Sequence, residues 1–280
     1  MDTPLQPGLH IVATPIGNLG DLSPRASETL RRADLILVED TRVTAKLLAH
    51  IGAKVRMLRY DDHSDEQQRN QIVARLGSEA IALVSDAGTP LISDPGYKLV
   101  RAARAAGHEV HTVPGPCAAI SALTLAGLPT DRFLFLGFLP AKPGARANAI
   151  REIADVRATL VIYESGPRLG ATLLALEAGL GPRDAAVARE ITKLHEECVT
   201  GSLSELTGRY ANADAPPKGE IVIVVAPPLE PEPASNAAID KLLDDALARL
   251  SPSRAAAEVA EQLGIPRKRA YDRALERSRK

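Results

Sequence analysis

The sequence predicts an α/β protein made of two α/β domains followed by a small helical tail. Three observations predict it. Short apolar runs alternate with helix-period segments over residues 9–225, which implies crossover units and largely parallel strand pairing. The stretch from Ala226 to Ser235 holds four prolines and reads as a stiff linker. Beyond it come three helical patterns without a strand signal. The expected boundaries are residues 1–116 and 117–226 for the two domains, 227–235 for the linker and 236–280 for the tail.

In the first domain the strand candidates are Leu9–Thr14, Leu35–Glu39, Val55–Arg59, Ala80–Val84 and Glu109–Val113. The apolar run Ala80-Ile81-Ala82-Leu83-Val84 reads as a buried strand. Helices are expected between them, at Ser23–Arg32, Arg42–His50, Glu66–Leu76 and Gly96–Ala106. In the second domain the strands are Phe133–Phe138, Thr159–Tyr163, Ala186–Arg189, Glu197–Ser202 and Ile221–Val225. Its helices are Ala118–Ala126, Ala145–Ala154, Pro167–Ala178 and Ser204–Tyr210. The strands near Ala186 and Glu197 are too close for a crossover and read as antiparallel, so this sheet is mixed. In the tail, helices are expected at Asn236–Leu250, Pro252–Leu263 and Arg267–Arg277. Ser251 and Ser253 can cap the second, and Gly264 with Pro266 stops it.

Composition narrows the function. The 280 residues are 45% apolar but only 3% aromatic, with no Trp, so the core is built from Ala, Leu, Val and Ile. A formal net charge of −1 excludes a chain that is basic throughout. The charge is uneven, however. Residues 1–233 carry 24 Lys/Arg against 28 Asp/Glu, whereas residues 267–280 carry seven against two. Two cysteines and six histidines show neither a disulfide framework nor metal-ligand spacing, and no metal is expected. With no basic-then-apolar leader and no apolar run of spanning length, a soluble cytoplasmic protein is expected.

The densest cluster of special residues is Val84-Ser85-Asp86-Ala87-Gly88-Thr89-Pro90-Leu91-Ile92-Ser93-Asp94-Pro95-Gly96, at a strand-to-helix crossing. Ligands of open α/β sheets bind at such crossings. The run has no Lys or Arg, so it does not grip a phosphate by direct charge. Its end, Asp94-Pro95-Gly96, reads as the launch of the next helix, with Ser93 or Asp94 as cap. The first loop, Thr14-Pro15-Ile16-Gly17-Asn18-Leu19-Gly20-Asp21, lacks G-x-G-x-x-G, and no G-K-[ST] occurs anywhere. Its structural reading is a turn in which Asp21 or Ser23 caps the next helix. Glu39 and Asp40 end the second strand, where carboxylates can bond hydroxyls or orient a base, or Asp40 can cap a helix. Pro114-Gly115-Pro116-Cys117 makes a rigid turn between the halves, and clefts form at such junctions. Cys117 has no partnering His pattern and reads as a small buried residue. In the second half, Tyr163-Glu164-Ser165-Gly166-Pro167-Arg168, Arg189-Glu190-Ile191-Thr192-Lys193-Leu194-His195-Glu196-Glu197 and Lys218-Gly219-Glu220 gather polar residues. By composition alone the middle segment, which mixes acids, a Lys and a His, reads as a solvated strand with cross-strand ion pairs. The tail has the look of a helix-turn-helix, in which Arg267, Lys268, Arg269 and Arg273 face phosphates, or of a small bundle with a basic end.

Together the stretches ATPIGNLGDLSPRA, LVEDTR, SDAGTPLISDPGYKLV, VPGPCAAISAL, YESGPRL, EITKLHEE and KGEIVIVV carry a resemblance that runs in order through residues 9–226. The chain resembles the tetrapyrrole-methylase superfamily of S-adenosylmethionine enzymes. Within it, the chain is similar to the ribosomal RNA small subunit methyltransferase I family, and its tail is similar to that family's helical extension. The resemblance implies two α/β domains of tetrapyrrole-methylase type with S-adenosyl-L-methionine in the cleft between them, and a homodimer. It also implies methylation of a cytidine ribose 2′-oxygen in the decoding region of 16S rRNA in the small ribosomal subunit. The cofactor contacts it implies are Pro15, Gly17, Gly88, Thr89, Pro90, Ile92, Ala118, Ala119, Tyr163, Ala188 and Glu220. Thr89 stands where many relatives have Asp, which leaves open the group that holds the methionine amino end; Asp86 and Asp94 are the candidates to substitute. Lys193 and Glu190 are the expected catalytic pair beside the acceptor hydroxyl, with Glu39 as an outside candidate. The rival readings are a tetrapyrrole (precorrin-type) C-methyltransferase, a nucleotide-dependent oxidoreductase, and a non-enzymatic RNA-binding module.

Overall fold

The computed structural model describes residues 5–61, 64–211, 216–229 and 234–278. The chain divides into two compact units, Met1–Pro228 and Leu229–Lys280.

The first unit holds two five-stranded sheets. The N-terminal sheet consists of β1 (Gly8–Val12), β2 (Leu35–Val38), β3 (Met57–Arg59), β4 (Ala80–Leu83) and β5 (Val110–Val113). Its order is β3-β2-β4-β1-β5 and every pairing is parallel. Between the strands run α1 (Pro24–Arg32), α2 (Thr41–His50), α3 (Glu66–Arg75) and α4 (Tyr97–Ala105). Alternate residues on each strand serve opposite faces. Leu35, Leu37, Ile81 and Leu83 pack with Ile72, Leu99 and Ala103 of α3 and α4. Ile36, Val38, Ala82 and Val84 pack with Leu30, Leu47 and Leu48 of α1 and α2. Both faces being covered explains the unbroken apolar runs.

The strand order creates a switch point. From β1 the chain passes β4 to reach β2 through α1, and from β4 it passes β1 to reach β5 through α4; α1 and α4 pack on opposite faces, so the two connections part between neighbouring strands. Just past their carboxyl ends, Thr14 and Gly88 exchange two backbone hydrogen bonds of 2.8 and 3.1 Å. The loops after β1 and β4 are thereby stitched side by side.

The second sheet contains β6 (Phe133–Phe138), β7 (Thr159–Ser165), β8 (Asp184–Arg189), β9 (Glu197–Ser202) and β10 (Glu220–Val225), ordered β6-β7-β10-β8-β9. Only β6 and β7 are parallel, so the sheet is mixed, as the short β8–β9 connection implied. One face is covered by α6 (Pro143–Glu152), α7 (Gly166–Leu180) and α8 (Leu203–Ala211) through Ile150, Leu169, Leu173, Leu176 and Leu206. The other is covered by α5 (Ala118–Leu125), whose Ala119, Ala122 and Leu123 pack on Val161, Ala186, Ala188, Val222 and Val224. Ile16, from the loop after β1, joins this last cluster and ties the two halves into one unit.

The sequence reading of caps holds at Ser23 and Asp40, whose side chains accept from Ala26 N and Arg42 N. It fails after β4. Helix α4 starts at Gly96 without a side-chain cap, so neither Ser93 nor Asp94 serves that purpose.

Among its described residues the second unit holds three helices, α9 (Asn236–Leu247), α10 (Pro252–Leu263) and α11 (Arg267–Ser278). Ile239, Leu243 and Val259 pack among five buried alanines of α10 and α11, whose small side chains let the helices approach closely. Gly264 stops α10 in the left-handed conformation (φ 62°, ψ 30°). Ser251 takes the N-cap position of α10 without a side-chain bond; its carbonyl accepts from Ala255 N at 2.9 Å.

Candidate active site

A cleft of about 380 Å³ opens at the switch point, a size that suits a small organic ligand. One wall is the loop after β4, from Asp86 through Asp94. The opposite wall comes from the second sheet, with Phe138, Tyr163, Glu164 and Glu220. Ile16, Cys117 and Ala118 close the space between them, and Glu39 reaches it from the tip of β2.

The loop after β4 carries stored strain. Leu91 and Ser93 have φ of 73° and 66°, a conformation costing on the order of 1–2 kcal/mol for a residue with a Cβ. Tertiary contacts hold it there. Thr89 Oγ1 donates to the Pro116 carbonyl at 2.9 Å, fixing the loop to the Pro-Gly-Pro turn. Asp86 Oδ1 accepts from Asp40 N at 3.0 Å, fixing it to the end of β2. Gly88 sits at φ 83°, and a Cβ there would stand 3.1 Å from Ile16 Cγ2. Only glycine meets both conditions.

The second wall is shaped by a bulge. Phe135 pairs with Val161, but Gly137 pairs with Ile162, so β6 contains one extra residue. Phe135 and Phe138 are three apart and would face opposite sides of a regular strand. The bulge brings both onto Tyr163, edge-on, with centroids 4.9 and 5.7 Å away. Phe138 remains 56% exposed and lines the cleft as an unfilled aromatic surface. The Tyr163 hydroxyl accepts from Ala119 N at 3.1 Å, at the start of α5. Burial first, and the neighbouring Cys117, push its pKa well above the ordinary range, so it stays neutral.

Among the described residues, no Lys or Arg lines the cleft; Glu39, Asp86, Asp94, Glu164 and Glu220 do. Burial raises the Asp86 carboxyl above its usual value. It raises Asp94 to about 6, against an opposing hydrogen bond from Ser85 and with help from the charge of Asp86. Asp40, by contrast, is held at about 2 by the hydrogen bonds of Arg42.

At the rim, Lys193 Nζ lies 3.0 Å from Glu190 Oε1 and 3.1 Å from Glu220 Oε2. Its chain lies over the loop after β1, because a Cβ at Gly17 would stand 2.5 Å from Lys193 Cγ. Glu190 and Thr192 have φ of 49° and 65°, so this turn is also held in a strained shape. Burial lowers the Lys193 pKa, but the hydrogen bonds of Glu190 and Glu220 outweigh it and the net shift is upward. The Lys193 bond lowers that of Glu190. The pair is an ammonium and a carboxylate, not a neutral amine and an acid.

Of the residues singled out from the sequence, Asp86, Gly88, Thr89, Ile92, Ala118, Tyr163 and Glu220 line the cleft. Pro15, Gly17, Pro90, Ala119 and Ala188 do not. Pro15 and Gly17 flank the lining residue Ile16, and Pro90 is buried in the loop. Ala119 reaches the site through Tyr163, and Ala188 is fully buried opposite Val222. Arg267, Lys268, Arg269 and Arg273 are all on α11, in the second unit. Asp94 and Glu39, which the sequence also offered as candidates, line the cleft as well, whereas Phe138 and Glu164 were missed as walls. Glu164 is buried with its carboxylate on Thr172 Oγ1 (2.7 Å), Ser165 N (2.8 Å) and Arg168 Nε (3.2 Å), where it fixes the end of β7. A Glu inside an apolar strand was the available signal. Among the described residues, no cluster of His, Cys, Asp or Glu is placed to hold a metal, and no helix is long and apolar enough to cross a membrane.

A cleft at the switch point of a parallel sheet, walled by a second mixed sheet, defines the class. Residues 8–207 match the family Tetrapyrrole (Corrin/Porphyrin) Methylases. Solved structures agree in fold. Uroporphyrin-III-C-methyltransferase from Thermus thermophilus is similar with a TM-score of 0.56 at 22% identity, over 79% of this chain and 94% of that one. A structure of that type of enzyme complexed with S-adenyl homocysteine gives 0.53 at 22% identity, over 78% and 96%. Diphthine synthase gives 0.59 at 18% identity, over 78% and 89%.

Sequence relatives narrow the class. Ribosomal RNA small subunit methyltransferase I of Erythrobacter litoralis is 56% identical over 98% of this chain and 96% of its own. That of Mesorhizobium japonicum is 46% identical over 98% and 93%, and that of Escherichia coli O157:H7 is 44% identical over 96% and 94%. Residues 233–278 match the RsmI C-terminal HTH domain. The chain belongs to the ribosomal RNA small subunit methyltransferase I family.

Proposed function

We propose that this protein transfers a methyl group from S-adenosyl-L-methionine to the 2′-oxygen of a cytidine ribose in the decoding region of 16S rRNA. The observation that carries the reading is a cation-free, carboxylate-walled cleft in a chain whose relatives at 42–56% identity are named rRNA methyltransferases. The rival tetrapyrrole reading rests on the family match over residues 8–207, which this chain shares with its rRNA-methyltransferase relatives, and on structures at 16–22% identity.

The cleft suits the cofactor by its donor set. Asp86 and Asp94 offer negative charge to an ammonium or sulfonium, and the glycine at position 88 leaves backbone open to close approach. Gly88, Thr89, Ile92, Ala118, Tyr163 and Glu220 would hold the cofactor, with Pro15, Gly17, Pro90, Ala119 and Ala188 behind them. When bound, it supplies an electrophilic methyl group on cationic sulfur. The protein's work is then mostly positioning, which can supply about 7–11 kcal/mol.

Lys193 and Glu190 act on the acceptor. A ribose hydroxyl is a poor nucleophile until it begins to lose its proton. The Lys193 ammonium, kept charged by its two carboxylates, stabilises negative charge as it grows on the oxygen. Glu190 is the ionised group that receives the proton. Proton transfer of this kind contributes about 10²–10⁴-fold. The test is single-turnover methylation of small subunits by Lys193→Met and Glu190→Gln. Loss of rate with retained cofactor affinity supports these roles, and full rate in both variants sinks them. The tail contributes RNA affinity, so truncation before residue 235 should weaken RNA binding and spare the cofactor. The family resemblance further implies a homodimer acting in the cytoplasm, which light scattering and fractionation would check.

A further inference from the structure

Five cations lie along α11: Arg267, Lys268, Arg269, Arg273 and Arg277. The structure divides them. Arg273 Nε lies 2.9 Å from Asp240 Oδ1, and its Nη1 lies 3.0 Å from Glu276. Arg277 donates to Asp244 Oδ2 at 2.6 Å. Arg269 donates to the Ala234 carbonyl at 2.8 Å and to Asn236 Oδ1 at 3.1 Å. All three are half-buried, on the side of α11 that meets α9. Their donors are spent inside the bundle, and two of the three charges are neutralised there.

Arg267 and Lys268 differ. Both are exposed, and neither has a carboxylate partner among the described residues. Arg267 donates to Ser253 Oγ at 3.2 Å, a neutral contact that brings it to the first turn of α10. Arg254, next to Ser253, is likewise exposed without a carboxylate partner among the described residues. Tyr271 lies one turn beyond Arg267 and Lys268 on the same face, 38% exposed. Asp272 marks the edge of this patch.

We propose that Arg254, Arg267, Lys268 and Tyr271 form the RNA-contacting surface of the tail, while Arg269, Arg273 and Arg277 are struts that hold the bundle together. Three uncompensated cations match the charge of a phosphate backbone, and an exposed aromatic ring offers a base a stacking face. The inference rests on the reading of rRNA as substrate and reassigns two of the four tail residues expected from the sequence.

The test uses the full-length protein and a 16S rRNA transcript, with affinity measured across a salt series. Arg254→Ala/Arg267→Ala/Lys268→Ala is expected to lower affinity about tenfold or more and to reduce the log–log salt slope by about 2. Tyr271→Ala should weaken binding with the slope unchanged. Arg273→Gln should lower the melting temperature of the tail, read by circular dichroism. A triple variant with unchanged slope overturns the proposal. So does an Arg273→Gln variant that melts normally yet loses as much slope as the triple variant. If the wild-type protein methylates small subunits while the triple variant binds rRNA normally, this inference fails alone. If the wild type neither binds nor methylates rRNA, the functional reading fails with it.

Discussion

Asp94→Asn is expected to make the protein more stable and a poorer binder of its methyl donor at neutral pH. The carboxyl titrates at about 6 rather than its ordinary 3.8, chiefly because burial disfavours its charge. The Ser85 hydroxyl, Asp86 and Tyr163 are the polar groups that face it. A folded-state pKa above the unfolded value means that the folded protein holds the proton more tightly. Stability is therefore undiminished below about pH 4, falls between about 4 and 6, and stays lowered above that. Raising the carboxyl from 3.8 to about 6 corresponds to about 3 kcal/mol as an upper figure, and solvent access to the cleft reduces it to on the order of 1–3 kcal/mol. Asn keeps the shape and removes the charge. Melting curves should show the variant above the wild type by several degrees at pH 7.5, with the gap closing near pH 4. Calorimetry should show the opposite for the ligand. Wild-type affinity for S-adenosylmethionine should drop as pH falls through 6, and the variant should be weak and flat across that range. A variant less stable than wild type at pH 7.5, or a wild-type affinity unchanged from pH 5 to 8, would refute the reasoning.

Other expectations follow from the same geometry. Gly17→Ala forces the Lys193 chain off the first loop, so single-turnover rate should fall while the melting temperature moves little. Phe138→Ala removes the exposed ring that the bulge turns into the cleft; cofactor affinity should fall about tenfold, measured by calorimetry, with the fold retained. Leu243→Ala empties a fully buried site in the tail and should destabilise that unit by about 2–5 kcal/mol, seen in its own melting transition, without changing cofactor affinity.

Much of the first unit was legible in the sequence because its strands are buried on both faces. Leu35-Ile36-Leu37-Val38 and Ala80-Ile81-Ala82-Leu83 have no other reading once helices flank them. The mixed character of the second sheet was also legible, since the connection from Arg189 to Glu197 is too short for a crossover. The bulge in β6 was not. Phe133-Leu134-Phe135-Leu136-Gly137-Phe138 breaks its Phe/Leu alternation at Gly137, a faint hint of irregularity, and only pairing with β7 reveals that Phe138 changes face. Asp94 had two readings, a helix cap because it precedes Pro-Gly at a helix start, and a holder of the methionine amino end. The positive φ of Gly96 takes over that position and frees the carboxylate for the cleft. A basic run in one dimension likewise gives no sign that Arg269 and Arg273 meet Asn236 and Asp240, some thirty positions earlier, across the bundle.

The central claim is that this cleft methylates the ribose of an rRNA cytidine. The purified protein, unmethylated small ribosomal subunits and S-adenosylmethionine with a labelled methyl group test it directly, with nuclease fragments of the 16S rRNA read by mass spectrometry. One methyl group per subunit is expected, on the 2′-oxygen of a cytidine in the decoding region. No incorporation into the rRNA, or a methyl group carried on a base, would contradict it.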